Sequence, residues 1–326
     1  MPHPSVSVIL PTHNSPETLR FAIESVLSQT HKEFELLVVG DGCTDNTQEV
    51  VESFEDERVR WLDLPKAPGF GYANRNVALR QARGDLIAYL AHDDLWTPDH
   101  LELMIAAIAG RSVEFAYSRI LTVDDQGHLW PTTCNLEGQR ALEVLTSDDL
   151  AIGIGSVVHT RDCLERFGYW DETGRGGGDH RLWLSFVRGL GPDGFAFVPT
   201  PTNLHFVAEW RKKRQKWWLP MRASLFRRLG VYEDLLPPVL SVDVPPGMTE
   251  QQAVWASMNV DPAAWPTEMR RAVTALLDDR LARMDDGMSL ILSAVSIRLK
   301  RWSSSLYRRP YRRQADDLEE SREPRE

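Results

Sequence analysis

Short apolar runs alternate with segments of helical spacing over the first third of the chain. Four runs are predicted to be strands: Val6–Leu10, Phe34–Val39, Arg58–Leu62 and Leu86–Ala91. Between and after these runs, apolar residues recur every three or four positions, which is typical of amphipathic helices. The predicted helices follow Ser15-Pro16-Glu17, start near Asp45, span Tyr72–Arg83 and open at Thr97-Pro98. Strands that alternate with helices indicate an α/β fold in which helices flank a mostly parallel central sheet.

The pattern changes from Phe115 onwards. Strand-like runs at 115–123 and 128–130 flank a polar turn, which predicts an antiparallel hairpin. The later predicted elements are a strand at 155–159, a helix from about His180, proline-rich linkers at 237–238 and 245–247, and helix over 249–284. This order adds a helical C-terminal extension to the α/β domain.

Polar side chains follow three of the four predicted parallel strands. Thr12 follows the first strand, Asp41 the second, and the adjacent Asp93 and Asp94 follow the fourth. In a parallel α/β sheet, ligands bind outside the carboxyl ends of the strands. Two carboxylates about 4 Å apart repel by roughly 1 kcal/mol in water and by more where solvent is scarce. We therefore expect a cation or a hydrogen-bond donor beside Asp93 and Asp94.

Composition and charge narrow the class of protein. The chain has 326 residues, of which 42% are hydrophobic and 26% charged, and its formal net charge of −10 argues against a general nucleic-acid binder. Cys43, Cys134 and Cys163 show no CxxC spacing, so the sequence indicates neither a disulfide framework nor a zinc site. No secretory signal is predicted, and the apolar stretch 288–297 is shorter than the about 20 residues of a membrane span. We expect a cytoplasmic protein.

The sequence lacks two common phosphate-binding motifs. No GxGxxG follows the first strand, no GxxxxGK[ST] occurs, and Gly69-Phe70-Gly71 is only a weak glycine-rich match. A bound diphosphate would therefore need a metal ion. Mg²⁺ and Mn²⁺ prefer carboxylate oxygens, such as those of Asp93 and Asp94.

Several motifs in a fixed order carry a resemblance to a known family. They are Val6–Asn14 (VSVILPTHN), Ser25–Thr30 with Phe34–Val39, Asp41–Asp45, Arg75-Asn76 with Ala82–Asp85, Asp93–Pro98, Phe167–Glu172 and Gly178–Trp183. Over about residues 5–215, the chain resembles the inverting glycosyltransferases of family 2. This resemblance implies the GT-A fold, a single α/β domain that binds a nucleotide-diphospho-sugar.

The resemblance also implies the residues that bind the donor. The base and ribose pocket would comprise Pro11, Thr12, Asn14 and Asp41. Asp41 would accept a hydrogen bond from uracil or thymine. Arg75 would approach the diphosphate, and Asp93 would hold the ribose or the sugar.

Metal binding and catalysis are implied in the same way. Asp94 would ligate Mn²⁺ or Mg²⁺, with His205 as a further candidate ligand, and Asp179 matches the general base of the family. The expected reaction moves one sugar from a UDP- or dTDP-sugar to a hydroxyl of a glycan, a glycolipid or another acceptor. The metal would assist departure of the diphosphate, and the anomeric configuration would be inverted.

Three departures from the family pattern support an alternative. Gly40, Ala91 and Gly178 stand where the family often has acids, which would suit a non-catalytic module that binds a nucleotide-sugar or a glycan. A sugar nucleotidyltransferase is disfavoured because no glycine-rich basic signature follows the first strand. Structural roles are also open: Asp93-Asp94 and Asp179 as helix caps, Arg75 as a solvated residue and His205 as a structural histidine.

The sequence also predicts domain boundaries and two basic segments in the second half of the chain. We expect a GT-A domain at 1–230, with a nucleotide-sugar half at 1–114 and an acceptor half at 115–230, followed by linker, helical extension and charged tail at 231–326. Two basic segments, 210–218 and 288–313, could contact the anionic inner face of a membrane. The alternative for them is a solvated helix with a disordered, charged end.

Overall fold

Ten strands form one mixed sheet in the computed structural model, which describes residues 4–131, 152–173, 178–206 and 238–284, with side chains as far as 276. The strands are β1 (Val6–Thr12), β2 (Phe34–Asp41), β3 (Val59–Leu64), β4 (Leu86–Tyr89), β5 (Leu95–Trp96), β6 (Phe115–Val123), β7 (His128–Pro131), β8 (Val157–Thr160), β9 (Phe195–Phe206) and β10 (Leu240–Ser241). The sheet runs in the order β10-β7-β6-β8-β4-β1-β2-β3, and β9 pairs with both β5 and β6.

Eight helices accompany the sheet in the described residues. They are α1 (Pro16–Leu27), α2 (Thr47–Glu52), α3 (Tyr72–Gln81), α4 (His100–Arg111), α5 (Asp162–Phe167), α6 (Gly178–Leu190), α7 (Glu250–Val260) and α8 (Ala264–Met284). The predicted α/β class with a helical extension is confirmed. The four N-terminal strands are parallel, in the order β4-β1-β2-β3.

Alternation of side chains along β1 builds a core on each face of the sheet. Val8 shares one core with Leu19 of α1 and Leu101 of α4. Ile9 points to the opposite face and shares the other core with Leu79 of α3 and Trp183 of α6. Both faces of β1 are therefore covered, which explains why this strand is a continuous apolar run.

The second half of the sheet mixes strand directions. The predicted hairpin is confirmed, since β6 pairs antiparallel with β7. β8 lies antiparallel between β4 and β6. The sequence pattern missed β9, which runs parallel to β6 with register shifts between Ser118 and Ile120. Prolines 199 and 201 lie in this part of β9, and a proline normally argues against a paired strand because it cannot donate a ladder hydrogen bond.

Three details of the predicted helices need correction. Ser15 does not cap α1, because its hydroxyl donates to the carbonyl oxygen of His13 at 3.0 Å. The helix predicted from Thr97-Pro98 begins at His100, and the Thr97 hydroxyl instead donates to Asp99 at 2.9 Å. The helix predicted over 249–284 is two helices, separated where Asp261 accepts the N–H of Ala264 at 2.9 Å.

The described parts of residues 1–213 and 238–273 form one compact unit. The division at residue 230, and the halves 1–114 and 115–230, stay predictions. The basic segments 210–218 and 288–313 lie outside the described residues. Among the helices that the structure describes, none combines the length and the apolar character that a membrane span requires.

Candidate functional site

The loop after β1 is fastened to the loop after β2. Thr12 lies opposite Gly40 in the parallel register, with Pro11 opposite Val39, so the two strands end at the same edge. The Asn14 side chain accepts the backbone N–H of Thr44 at 2.8 Å, and Asn14 itself has a left-handed φ of 48°. The Thr12 hydroxyl is buried without a hydrogen-bond partner in the described part of the chain. A buried hydroxyl without a partner is unfavourable, so Thr12 keeps unused hydrogen-bonding capacity at this edge of the sheet.

Asp41, at the end of β2, is held by three protein donors. One carboxylate oxygen, Oδ1, accepts the N–H of Ala67 at 2.8 Å and the side-chain amide of Asn74 at 2.7 Å. The other oxygen, Oδ2, lies 2.5 Å from the Lys66 ammonium. Sequence reasoning predicted Asp41 as a site residue but missed Lys66 and Asn74.

Arg75 of α3 lies against two aromatic rings. Its guanidinium carbon is 5.0 Å from the ring centre of Tyr72 and 5.0 Å from that of Trp170, and these two rings stack 5.2 Å apart. Burial lowers the pKa of Arg75, and the nearby carboxylate of Asp179 opposes this shift. An arginine remains charged at neutral pH even so. No hydrogen bond or ion pair joins the guanidinium to another described residue, and its Nε is buried without a partner.

Asp179 lies in the first turn of α6, next to this group. The hydroxyl of Tyr72 accepts the N–H of Gly178 at 3.0 Å, which fixes the start of the helix against α3. Burial raises the pKa of Tyr72, and the charge of Asp179 raises it further. The structure therefore places Arg75, Tyr72 and Asp179 close enough to interact electrostatically. The charge of Asp41 also favours the charged form of Arg75.

Packing explains two of the departures from the family pattern. A Cβ atom on Gly40 would overlap the indole ring of Trp61, and a Cβ atom on Gly178 would overlap the ring of Tyr72. Aromatic rings thus occupy the space that an acidic side chain would need at these positions. The acids next to these glycines, Asp41 and Asp179, are retained, and both have predicted roles.

Asn76 holds the Trp170 loop against α3. Its side-chain amide donates to the Trp170 carbonyl at 2.9 Å and to Glu172 at 2.7 Å, and its carbonyl oxygen accepts the Trp170 N–H at 3.1 Å. Asn76 is 1% exposed. These contacts fix the Trp170 ring beside Arg75, a positioning role that the sequence did not predict.

Asp93 and Asp94 follow β4, and the second of them contacts His205 of β9. Asp94 Oδ1 lies 2.9 Å from His205 Nδ1 and accepts the N–H of Phe206 at 3.3 Å. Burial raises the pKa of Asp93, and the charge of Asp94 raises it further. The structure places Asp94 and His205 in contact, while the role of both as metal ligands stays a prediction.

These residues suit a cation that is shared with a ligand. The described residues contain no group of three or more His, Cys, Asp or Glu side chains that could hold a metal ion by themselves. Mg²⁺ in phosphate-binding sites is commonly held by one or two carboxylates, with phosphate oxygens and water completing the shell. Asp93 and Asp94 are two adjacent carboxylates of the kind that this requirement names.

Comparison with known proteins gives a consistent family. Residues 7–160 match the family model described as "Glycosyl transferase family 2". The chain is 40% identical over 183 residues to the Escherichia coli UDP-Glc:alpha-D-GlcNAc-diphosphoundecaprenol beta-1,3-glucosyltransferase WfgD. The aligned segment covers 56% of this chain and 70% of WfgD. It is 36% identical over 117 residues to the putative teichuronic acid biosynthesis glycosyltransferase TuaG of Bacillus subtilis. This alignment covers 35% of this chain and 46% of TuaG.

A solved structure shares the fold. A fragment of S. aureus TarS in complex with UDP superimposes with a TM-score of 0.51 at 21% identity, over 63% of this chain and 61% of the fragment. This chain therefore spans less than two thirds of TuaG and of the TarS fragment. The likeness to TarS supports the predicted GT-A fold.

Proposed function

Because the chain belongs to glycosyltransferase family 2, we propose that it moves one sugar from a UDP- or dTDP-sugar to an acceptor hydroxyl, with inversion at the anomeric carbon. One observation carries this proposal. The Arg75 guanidinium lies against Tyr72 and Trp170 without an anionic partner in the described residues, and the Asp179 carboxylate is nearby. A donor diphosphate would supply the missing anion.

Asp41 and Thr12 would bind the nucleoside part of the donor. Asp41 ends β2 with a carboxylate that protein donors hold in place, and the Thr12 hydroxyl beside it has no partner in the described residues. Pro11 and Asn14 would complete this pocket. The name of WfgD specifies UDP-Glc, which supports a uracil-containing donor for this chain.

Arg75 would stabilise the leaving group. Hydrogen bonds between a guanidinium and phosphate oxygens are short and strong, and they strengthen as negative charge develops in a site poor in water. The two rings keep water from one side of the guanidinium, and Asn76 fixes one of those rings. Arg75 thus needs no rearrangement when the diphosphate departs.

Asp94 and Asp93, with His205, would hold Mn²⁺ or Mg²⁺ together with the donor. When bound, the cation would neutralise part of the diphosphate charge. Asp93 would also contact the ribose or the sugar. The Phe206 N–H and His205 orient the Asp94 carboxylate.

Asp179 would act as the general base. The acceptor hydroxyl oxygen forms a bond to the anomeric carbon while the bond from that carbon to the diphosphate oxygen breaks. The hydroxyl proton passes to the Asp179 carboxylate, and the nucleoside diphosphate leaves from the opposite face. A single displacement of this kind inverts the anomeric configuration.

The proposed acceptor is a hydroxyl of a glycolipid. WfgD carries a lipid-linked acceptor in its name, which supports a glycolipid acceptor for this chain as well. The basic segments 210–218 and 288–313 would then bring the enzyme to an anionic membrane surface at the cytoplasmic face. Equal cosedimentation with anionic and neutral vesicles would contradict that contact.

A thermal-shift panel with the full chain tests the proposal. UDP and dTDP should raise the melting temperature, more so with Mn²⁺, because a ligand of the native state stabilises it by RT ln(1 + [L]/Kd). UDP release from UDP-sugars should then require an acceptor such as a synthetic GlcNAc-diphospho-lipid. Binding without any transfer to such acceptors would favour the non-catalytic module, and no nucleotide binding would contradict both functions.

A further inference from the structure

The ion pair between Lys66 and Asp41 lies where β2 ends. The Lys66 ammonium is 2.5 Å from Asp41 Oδ2, and the Lys66 side chain is 48% exposed while that of Asp41 is only 9% exposed. Gly42, with φ of 66°, allows the backbone of Lys66 to approach closely, because a Cβ atom there would lie 2.7 Å from the Lys66 nitrogen. The backbone that carries Lys66 is therefore held close to β2, while the Lys66 side chain is accessible to solvent.

The remaining hydrogen-bonding capacity of this pair can be counted. A carboxylate oxygen has two lone pairs, and Oδ1 of Asp41 already accepts from Ala67 and Asn74. Oδ2 accepts from Lys66 and keeps one lone pair. The ammonium has three donors and makes one described contact, to Asp41, so two donors remain. One acceptor and at least one donor thus stand side by side.

This arrangement matches one edge of uracil or thymine. The imide edge of these bases has an N–H flanked by two carbonyl oxygens, so it offers a donor next to an acceptor. Cytosine has an acceptor nitrogen in place of the imide N–H and an amino donor in place of the C4 carbonyl oxygen, while its C2 carbonyl is the same. On the C4 side of this edge, both groups would oppose the Asp41–Lys66 pair. A site that hydrogen-bonds one partner rejects a mismatched one, because polar groups of both are left unpaired.

We propose that Lys66 selects the base of the donor by donating to the C4 carbonyl oxygen of uracil or thymine while Asp41 Oδ2 accepts the imide N–H. This inference rests on the proposed function, since it assigns a residue to the recognition of the same nucleotide. Lys66 contacts the base beside the imide N–H, and it takes no part in the transfer step.

The test compares UDP and CDP binding to the full chain and to its Lys66→Met variant by calorimetry, with inorganic pyrophosphate as a third ligand. The unaltered protein should prefer UDP over CDP by more than tenfold. Lys66→Met should weaken UDP binding about tenfold or more and CDP binding little, because a charge-assisted hydrogen bond to the base is lost. Lys66→Arg should recover part of the preference. Lys32→Met, which removes the same charge from an exposed position before β2, should change neither affinity.

Other outcomes separate the two claims. If Lys66→Met weakened UDP, CDP and pyrophosphate equally, Lys66 would be a phosphate ligand and the base-selection proposal would be wrong, while the proposed function stood. A twofold or smaller preference of the unaltered protein for UDP over CDP would also overturn it. If the unaltered protein bound none of the nucleotides, the proposed function itself would fail.

Discussion

The guanidinium of Arg75 lies 5.0 Å from the ring centre of Trp170, which belongs to the loop between α5 and α6. Trp170 is buried and stacks on Tyr72, so the cation lies on aromatic surface, with Asp179 nearby but no hydrogen-bonded ion pair among the described residues. Such a cation is costly in the unliganded protein and favourable once an anion binds.

Arg75→Met should therefore separate binding from stability. We expect the affinity for UDP and for inorganic pyrophosphate to fall about 10- to 100-fold, since two charge-assisted hydrogen bonds are lost. The free energy of unfolding should not decrease, because the substitution removes an unpaired, largely buried charge. Calorimetry and denaturant unfolding measure the two quantities. Arg80→Met on the same helix, where Arg80 is exposed, is the matched control and should leave affinity within twofold.

Much of the N-terminal half could be predicted from residue patterns. β1, β2 and α1 show clear strand and helix periods, and the acids that follow the strands lie at the same sheet edge because the strands are parallel. The elements missed have local reasons. β9 contains two prolines, and β5 has only two residues, which is too short to show a period.

The surroundings of Arg75 could not be predicted in this way. Its role was inferred from a motif, whereas the rings beside it and the Asn76 contacts depend on packing between α3 and a distant loop. Lys66 likewise contacts Asp41 only because β3 lies next to β2. Sequence period determines which face of an element is buried, but it does not specify which distant residue is met there.

Asn76→Ala should weaken both the fold and the anion site. Three hydrogen bonds are lost and the Trp170 carbonyl is left unsatisfied, so the free energy of unfolding should drop by about 2 kcal/mol. UDP affinity should fall several-fold as Trp170 loosens. Asn259→Ala removes an exposed amide that bonds within α7 and should change stability by less than about 0.5 kcal/mol. Equal effects of the two substitutions would argue against the positioning role.

Introducing an acid at position 40 should not strengthen metal or nucleotide binding. Gly40→Asp places a side chain where Trp61 already lies, so we expect the free energy of unfolding to fall by about 1–3 kcal/mol with no gain in Mn²⁺ or UDP affinity. Gly110→Ala is the matched control, because no atom lies within 4 Å of the added carbon in α4. It should stabilise the protein by about 0.5–1 kcal/mol. Tighter nucleotide binding by Gly40→Asp would contradict the explanation that Trp61 leaves no room for an acid at position 40.

Acid should destabilise the fold through two buried histidines. Burial lowers the pKa of His159 to about 4 and that of His100 to about 3. Between these values and the ordinary pKa of about 6.5, the unfolded chain binds protons that the native protein does not. The free energy of unfolding should therefore fall as the pH drops from about 6.5 to 4, by about 1.4 kcal/mol per pH unit for each histidine.

His159→Gln isolates one of these contributions. Glutamine can still accept the hydroxyl of Tyr89, which lies 2.9 Å from His159 Nε2, but it does not titrate. Denaturant unfolding across the pH range should show a slope smaller by about 1.4 kcal/mol per pH unit. An unchanged slope would show that His159 is not buried in its neutral form.

The central claim is that Asp179 takes the acceptor proton while Arg75 holds the departing diphosphate, and Asp179→Asn tests it most directly. UDP-sugar binding and single-turnover transfer to a GlcNAc-diphospho-lipid should be measured on the same preparation. Asparagine preserves size but cannot accept the proton, so we predict donor affinity within about threefold and transfer at least about 100-fold slower. Transfer at the unaltered rate with normal donor binding would contradict the assignment of Asp179 as the base.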